Sequence, residues 1–484
     1  MMDLSDIQGN ILRGYRSFPD ACFLFFRVDR SGAGREFLKR LLEKDSITPG
    51  QWRERPEVAT NIAFTFEGLR ALGVPAASLA SFPPEFQEGM KSRAALLGDT
   101  GECAPNQWDE PWHGSTVHIL VTCYARVRET LTGHCSELRR LAPEGVHELV
   151  PHQEAGLLFV DGKRTRKEHF GFDDGLSNPD VEGVPDDGGP GDTGNPDEQG
   201  NLRKIPVGEF ILGYPSEGQE LSAMPVPHMF TRNGTYLVVR KLEQHVLRFR
   251  DFLRTQTAAL RSFPGAKLSG GPRAAEDFLA AKMFGRWPDG SSLDLYPTAG
   301  AGDKSNNFTY ADDPEGARCP LGAHVRRANP RASLGFGGNI VRRRRLIRRG
   351  IAYGDYLPQD VTEANGGGRR GIMFLAFNGS ISQQFELVQQ QWMNSGDDFR
   401  QGDDADPIAG NRIGDGKMVE PSQPFRRDQN CAGRMVIPGD QRTAREPFLC
   451  SGIPRFVTTK GGDYFFAPSL TGIRLMAAGK VYIL

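Results

Sequence analysis

ACFLFFRV, residues 21–28, runs almost without a polar break, and GREFLKRLLEK, residues 34–44, follows with apolar side chains at helical spacing. The first is strand-length and far too short to span a membrane. Two more strand signals, TNIAFTFEGLRALG (60–73) and HILVTCYA (118–125), give the order strand, helix, strand, helix, strand. That order, with hairpin-length strands, suits an α+β sheet covered on one face by helices. The grammar returns in the second half. GEFILGYP (208–215), GTYLVVRKL (234–242) and GIMFLAFNGS (371–380) read as strands, and QHVLRFRDFLRT (244–255) and QQFELVQQQWMN (383–394) as helices. Between the halves, VEGVPDDGGPGDTGNPDEQGN (181–201) is too polar and too rich in Gly and Pro to bury a core. The expected organisation is one α+β unit over 1–180, a loop over 181–205 and a second unit over 206–484.

Charge excludes several classes of function. Lys and Arg total 59 against 60 Asp and Glu in 484 residues, a net charge of -1. This offers no electrostatic case for nucleic acid or an acidic membrane. The seven cysteines (22, 103, 123, 135, 319, 431 and 450) are odd in number and form no CxxC, so neither a disulfide framework nor a thiolate zinc site is expected. The absence of CxxCH excludes covalent c-type haem. A reducing compartment and a N-terminus without a basic-then-apolar leader point to a cytoplasmic protein.

Three segments can carry chemistry. In EHFGFDDGLSNP (168–179), Gly171 and Gly175 bracket the adjacent carboxylates Asp173 and Asp174. This is either a surface turn or calcium loop, or a carboxylate held over a reactive centre. In RCPLGAHVRRANPR (318–331), His324 follows a run of small and constrained residues and precedes three arginines, as an iron-ligating histidine near haem propionates would; a plain loop histidine is the other reading. VRRRRLIRRGIAYG (341–354) reads as a solvated strand of alternating arginines, one of which faces inward. Together they supply what a haem peroxidase requires: a proximal histidine, a distal proton carrier and a fixed positive charge.

In this combination the chain resembles the dye-decolourising peroxidases, specifically the longer-chain class shared by bacteria and fungi. The resemblance runs through DIQGNILRGY (6–15), EHFGFDDGLSNP, GEFILGYP, CPLGAHVRRANPR, RRGIAYG (348–354), GIMFLAFNGSISQQFELVQQQW (371–392) and FVTTKGGDYFFAPSLTGIRLMA (456–477). It implies tandem ferredoxin-like domains with antiparallel sheets and peripheral helices, of the dimeric α+β barrel kind. It also implies one non-covalent haem b per chain, and a peroxidase that reduces hydrogen peroxide and oxidises bulky aromatic donors, such as anthraquinone and other dyes and phenolics, through ferryl intermediates.

The family signature GxxDG falls on Gly171, Asp174 and Gly175, which makes Asp174 the distal acid–base catalyst. The resemblance further implies His324 as iron ligand, Arg348 before Arg349 as distal arginine, and Ile372 and Phe374 over the haem face. Ser177 and Arg331 are the candidates to meet propionates. A carboxylate behind His324 is expected from GDDADPIAG (402–410), where Asp403, Asp404 and Asp406 compete; Asp406 is the candidate carried forward and Glu386 the rival. Tyr353, Tyr356 and Trp392 are candidates for surface electron transfer. Expected partners are peroxide and aromatic reductants, with no nucleic acid or membrane, in a monomer or homodimer. Two other readings compete: a haem-handling protein of the same fold with little turnover, and a calcium- or carbohydrate-binding structural protein using the acidic loop 186–201, which lacks EF-hand spacing.

Overall fold

The computed structural model describes residues 2–184, 203–411 and 433–482, apart from 16, 53, 264, 266, 267, 269, 360, 362–367, 442 and 443. Most of the acidic loop, 185–202, and Cys431 lie outside the described residues.

The strands are β1 (Asp20–Val28), β2 (Val58–Phe64), β3 (Ile119–Ala125), β4 (Val146–Gly156), β5 (Leu158–Val160), β6 (Lys163–Thr165), β7 (Thr235–Gln244), β8 (Ile347–Arg348), β9 (Ile351–Tyr353), β10 (Gly371–Asn378), β11 (Gly433–Ile437), β12 (Phe448–Ile453) and β13 (Val457–Ala467). Nine of them form one sheet in the order β4-β1-β3-β2-β13-β7-β10-β8, with β9 also on β10; β5–β6 and β11–β12 are separate two-stranded sheets. Every pair is antiparallel. Counting the strands of each half in chain order, with β8 and β9 sharing second place, both halves read fourth-first-third-second. Two copies of the expected α+β unit therefore lie edge to edge. They meet at a single register pair, Phe64 opposite Phe466.

The apolar runs explain the layering. Every residue of β3 is buried, and β1 exposes only Arg27. Helix Ser31–Glu43 presses Phe37, Leu38 and Leu41 onto this sheet, and helix Arg128–Leu141 adds Leu131, Cys135 and Leu138. In the second half, helix Val246–Ser262 buries Phe249, Phe252 and Leu253 beside helix Pro272–Phe284. Strand β10 alternates: Met373 and Leu375 enter the core, whereas Ile372 and Phe374 are only partly covered.

Two expected strands take other forms. GEFILGYP begins with a 3₁₀ turn at Val207–Glu209 and folds back so that Gly208 N–H donates to Pro215 O. Phe210, Ile211 and Leu212 are buried by packing and not by a ladder. The arginine run starts as a short helix, Asn339–Arg342, then turns, and pairs as strand only in two short pieces, Ile347–Arg348 and Ile351–Tyr353. Alternating exposure is not possible there, because Arg342 is buried on Glu217 and Arg345 is buried on the Ser177 carbonyl. At the ends of the acidic loop, Val181 and Ile205 form a parallel bridge that brings the loop back to its start.

At Gly371 an added Cβ would stand 1.9 Å from the Leu242 carbonyl oxygen of β7. Gly371→Ala therefore pushes β10 off its neighbour. Denaturant unfolding of the apoprotein is expected to show a loss of about 2 kcal/mol.

Candidate active site

One cavity of about 400 Å³ opens against the sheet, lined from both halves of the chain. Asp174, Ser177, His324, Arg348, Ile372 and Phe374 all line it.

His324 stands at the start of the short helix His324–Ala328. Its Nδ1 lies 3.2 and 3.1 Å from the two oxygens of Asp406. A carboxylate only accepts, so Nδ1 donates and Nε2 is left with its lone pair on the cavity side. Asp406 is wholly buried, and its Oδ1 also accepts from the Ile408 and Ala409 backbone N–H groups. Burial pushes its carboxyl up, but the His324 ring and these hydrogen bonds together hold it below the usual carboxylate range. Asp406 is thus the carboxylate behind the histidine. Asp403 and Asp404 pair with Arg434, and Glu386 is held by Arg93 and Tyr464, so none of these three serves His324.

Gly171 (φ +100°) and Gly175 (φ +74°) occupy the left-handed region and let the loop turn sharply. The adjacent aspartates then separate. Asp173 ion-pairs with Lys304. Asp174 accepts from Gly175 N–H through Oδ1, while an added Cβ at Gly350 would stand 3.7 Å from Oδ2 and 3.4 Å from Ile372. The second carboxylate oxygen therefore lies against the segment that follows Arg348. Arg349 spends its guanidinium on the Asn10 and Ile11 carbonyls. Among the described residues, none hydrogen-bonds or ion-pairs with the Arg348 guanidinium; its backbone N–H donates to the Asn178 side chain and its carbonyl accepts from Arg349.

The propionate candidates divide. Ser177 lines the cavity and bonds to Asn306 and Arg286. Arg331 is fully buried, donates to the Asn306 and Phe308 carbonyls, stacks 4.0 Å over the Phe308 ring and does not line the cavity. Arg286 and Arg345 do line it beside Ser177, where Arg345 donates to the Ser177 carbonyl. Arg345 stood in the quoted arginine run; Arg286 had no sequence signal. The surface-relay candidates need correction too. Tyr353 and Trp392 are buried at 4% and 2% exposure, the latter bonded to Asp398, and only Tyr356 is partly exposed.

The donor set fits a haem. Among the described residues no group of three His, Cys, Asp or Glu side chains could hold a metal ion. A cavity with one carboxylate-backed histidine, an apolar strip from β10 and a serine–arginine edge suits a macrocycle carrying acidic groups.

A further carboxylate, Glu168, also lines the cavity. Burial, with a smaller contribution from Asp174, pushes it from 4.5 to about 7. Between these values the folded chain holds a proton that the unfolded chain has released, so stability falls as pH rises. Wild-type apoprotein is expected to lose about 3 kcal/mol relative to Glu168→Gln between pH 4.5 and 8, read by denaturant unfolding.

Comparisons with known proteins agree with this geometry. The model of the DyP dimeric alpha+beta barrel domain matches residues 6–154. Dye-decolorizing peroxidase msp1 of Mycetinis scorodonius is 28% identical over 499 residues, spanning 98% of this chain and 87% of that protein. Multifunctional dye peroxidase DyP2 of Amycolatopsis sp. is 28% identical over 511 residues, spanning 97% and 95%. A solved dye-decolorizing peroxidase in complex with 2,6-dimethoxyphenol superimposes with TM-score 0.78 at 25% identity over the whole of both chains. An ancestral D-type dye-decolorizing peroxidase gives 0.77 at 27% identity over 98% of each. Over residues 6–154 the chain carries the DyP dimeric alpha+beta barrel domain, and nearly end to end it is similar to fungal and bacterial dye-decolorizing peroxidases.

Proposed function

We propose that this chain is a haem-dependent peroxidase that reduces hydrogen peroxide and takes electrons from bulky aromatic donors, dyes and phenolics among them. The observation that carries the reading is the Arg348 guanidinium, unspent among the described residues, in one cavity with Asp174 and a carboxylate-backed His324. A haem-carrying or haem-dismantling protein needs the histidine but gains nothing from an arginine and an aspartate lining the same cavity. The acidic loop of the calcium reading, 186–201, lies outside the described residues.

One haem b, held without a covalent link, would supply the redox-active iron that binds peroxide and stores two oxidising equivalents. His324 would hold it through Nε2, with Asp406 fixing the ring and raising its basicity. Ile372 and Phe374 would cover its face, and Ser177, Arg286 and Arg345 would meet its acidic edge. Ionised Asp174 takes the proton from one peroxide oxygen and returns it to the other. Arg348 meets the negative charge that develops on the departing oxygen. A cytoplasmic location is part of the same reading; the six described cysteines form no disulfide.

Large donors cannot reach the cavity centre, so their electrons need a path. Tyr124 and Tyr15 both line the cavity with ring centroids 5.0 Å apart, and Tyr15 stacks on Trp52 at 5.8 Å. Trp52 is partly exposed. This series replaces Tyr353 and Trp392 as the proposed relay.

Asp174→Asn is expected to slow the reaction with peroxide by about 10²–10⁴-fold in stopped-flow absorbance, with haem still bound. A native rate would remove Asp174 from its role. His324→Ala is expected to lose haem or shift its absorption band. Trp52→Phe is expected to lower turnover of a bulky dye ~tenfold, whereas Trp108→Phe, an indole buried away from the cavity, leaves it unchanged.

A further inference from the structure

The loop that presents Asp174 is wrapped around a carboxylate that the reaction above does not use. Glu168 is buried, and its two oxygens accept from Phe172 N–H at 2.9 Å and from Phe170 N–H at 3.0 Å. The backbone of the same residue closes the turn from the other side. Glu168 N–H donates to Phe172 O at 2.9 Å, and Gly171 N–H donates to Glu168 O at 2.9 Å. A third donor, the Gln244 side-chain amide on β7, reaches Glu168 at 2.5 Å. Strand β7 pairs with β10 at Leu242–Ile372, so Glu168 ties the loop to the strands that form the cavity wall.

Two features make this arrangement more than local packing. Gly171 and Gly175 both have positive φ, and nothing stands within 4 Å of where their Cβ atoms would be, so the loop has no side-chain stiffness at either end. Its shape has to be imposed from outside. The group that imposes it is also an expensive choice. No Lys, Arg or His among the described residues ion-pairs with Glu168, and all three of its partners are neutral N–H donors. A buried carboxyl without a cation costs stability, which fits a site where geometry is held at stability's expense. Its upward shift to about 7 records the same cost.

We propose that Glu168 is a positioning residue for the peroxide reaction: by gripping the Phe170 and Phe172 amides it sets where the Asp174 carboxylate stands over the cavity. The inference rests on the reading of Asp174 as the proton carrier. Displacing a reacting group by about 1 Å typically costs ~10²-fold in rate.

The test has two readouts. Hydrogen–deuterium exchange on the apoprotein should show the Phe170 and Phe172 amides exchanging about tenfold or more faster in Glu168→Ala than in wild type. In the haem-loaded protein, Glu168→Ala should slow the reaction with hydrogen peroxide ~10- to 100-fold while the donor KM and the haem absorption spectrum stay as in wild type. Glu168→Gln, which keeps one acceptor oxygen and the side-chain volume, should give intermediate values in both and carries the test should the alanine variant not fold. Native exchange in the variants, or faster exchange with a native peroxide rate, overturns the inference. Asp174→Asn measured alongside separates the two possible failures. A native rate there overturns the reading of Asp174 itself, whereas a slow Asp174→Asn beside a native Glu168→Ala overturns only the role of Glu168.

Discussion

Asp406 has no exposure to water, and the orientation of His324 depends on it. A buried carboxylate is tolerated only when donors surround it. Here they are the imidazole Nδ1–H and two backbone N–H groups from the turn at 408–409. The Asp406 backbone N–H in turn donates to Met393 O at the end of the helical segment Val388–Met393. The imidazole thus has one tautomer and one direction, and every other cavity residue acts relative to the Nε2 lone pair that results. Removing the ring would strand a negative charge in the core, so the pair also ties the site to the stability of the second half.

The cavity is a product of the joint between the halves and belongs to neither alone. Asn10, Arg13 and Tyr15 come from the start of the chain, the Asp174 loop from the end of the first unit, and Ile372, Phe374, Val457 and Thr459 from strands of the second. Arg349 fastens this arrangement by reaching back to the Asn10 and Ile11 carbonyls. Its neighbour Arg348 is left to face the cavity. Two adjacent arginines that both line the cavity thus differ in their partners: the Arg349 guanidinium is taken up by backbone carbonyls and that of Arg348 is not, among the described residues.

Much of this was legible in the sequence because it is local. Unbroken apolar runs at 21–28 and 118–125 can only be buried strands, and small residues around Asp174 and His324 mark close approach. What could not be read is what distant segments do to one another. Three aspartates within four residues at 403–406 look alike until burial selects one and leaves the others on Arg434. Arg331 resembled a propionate partner by its place after His324, yet a positive φ of 53° turns it inward onto carbonyl groups. GEFILGYP has strand composition, but Phe210–Leu212 satisfy it by packing into the core with no partner strand. Tyr353 and Trp392 stood near the motif residues in the chain and proved to be interior, while the aromatic series that does reach the surface comes from 15, 52 and 124, far apart in sequence.

The seam between the halves has one more consequence. Strand β13 is the last of the sheet and, among the described strands, the one whose ladder pairs with both units, through Phe466 to β2 and along its length to β7. It also brings Val457 and Thr459 to the cavity. During synthesis the first four strands can pair as soon as they emerge, but the binding chamber has no complete wall until residues near 467 have left the ribosome. A chain truncated before β13 would lack the strand that pairs with both units, and with it the part of the cavity wall formed by Val457 and Thr459.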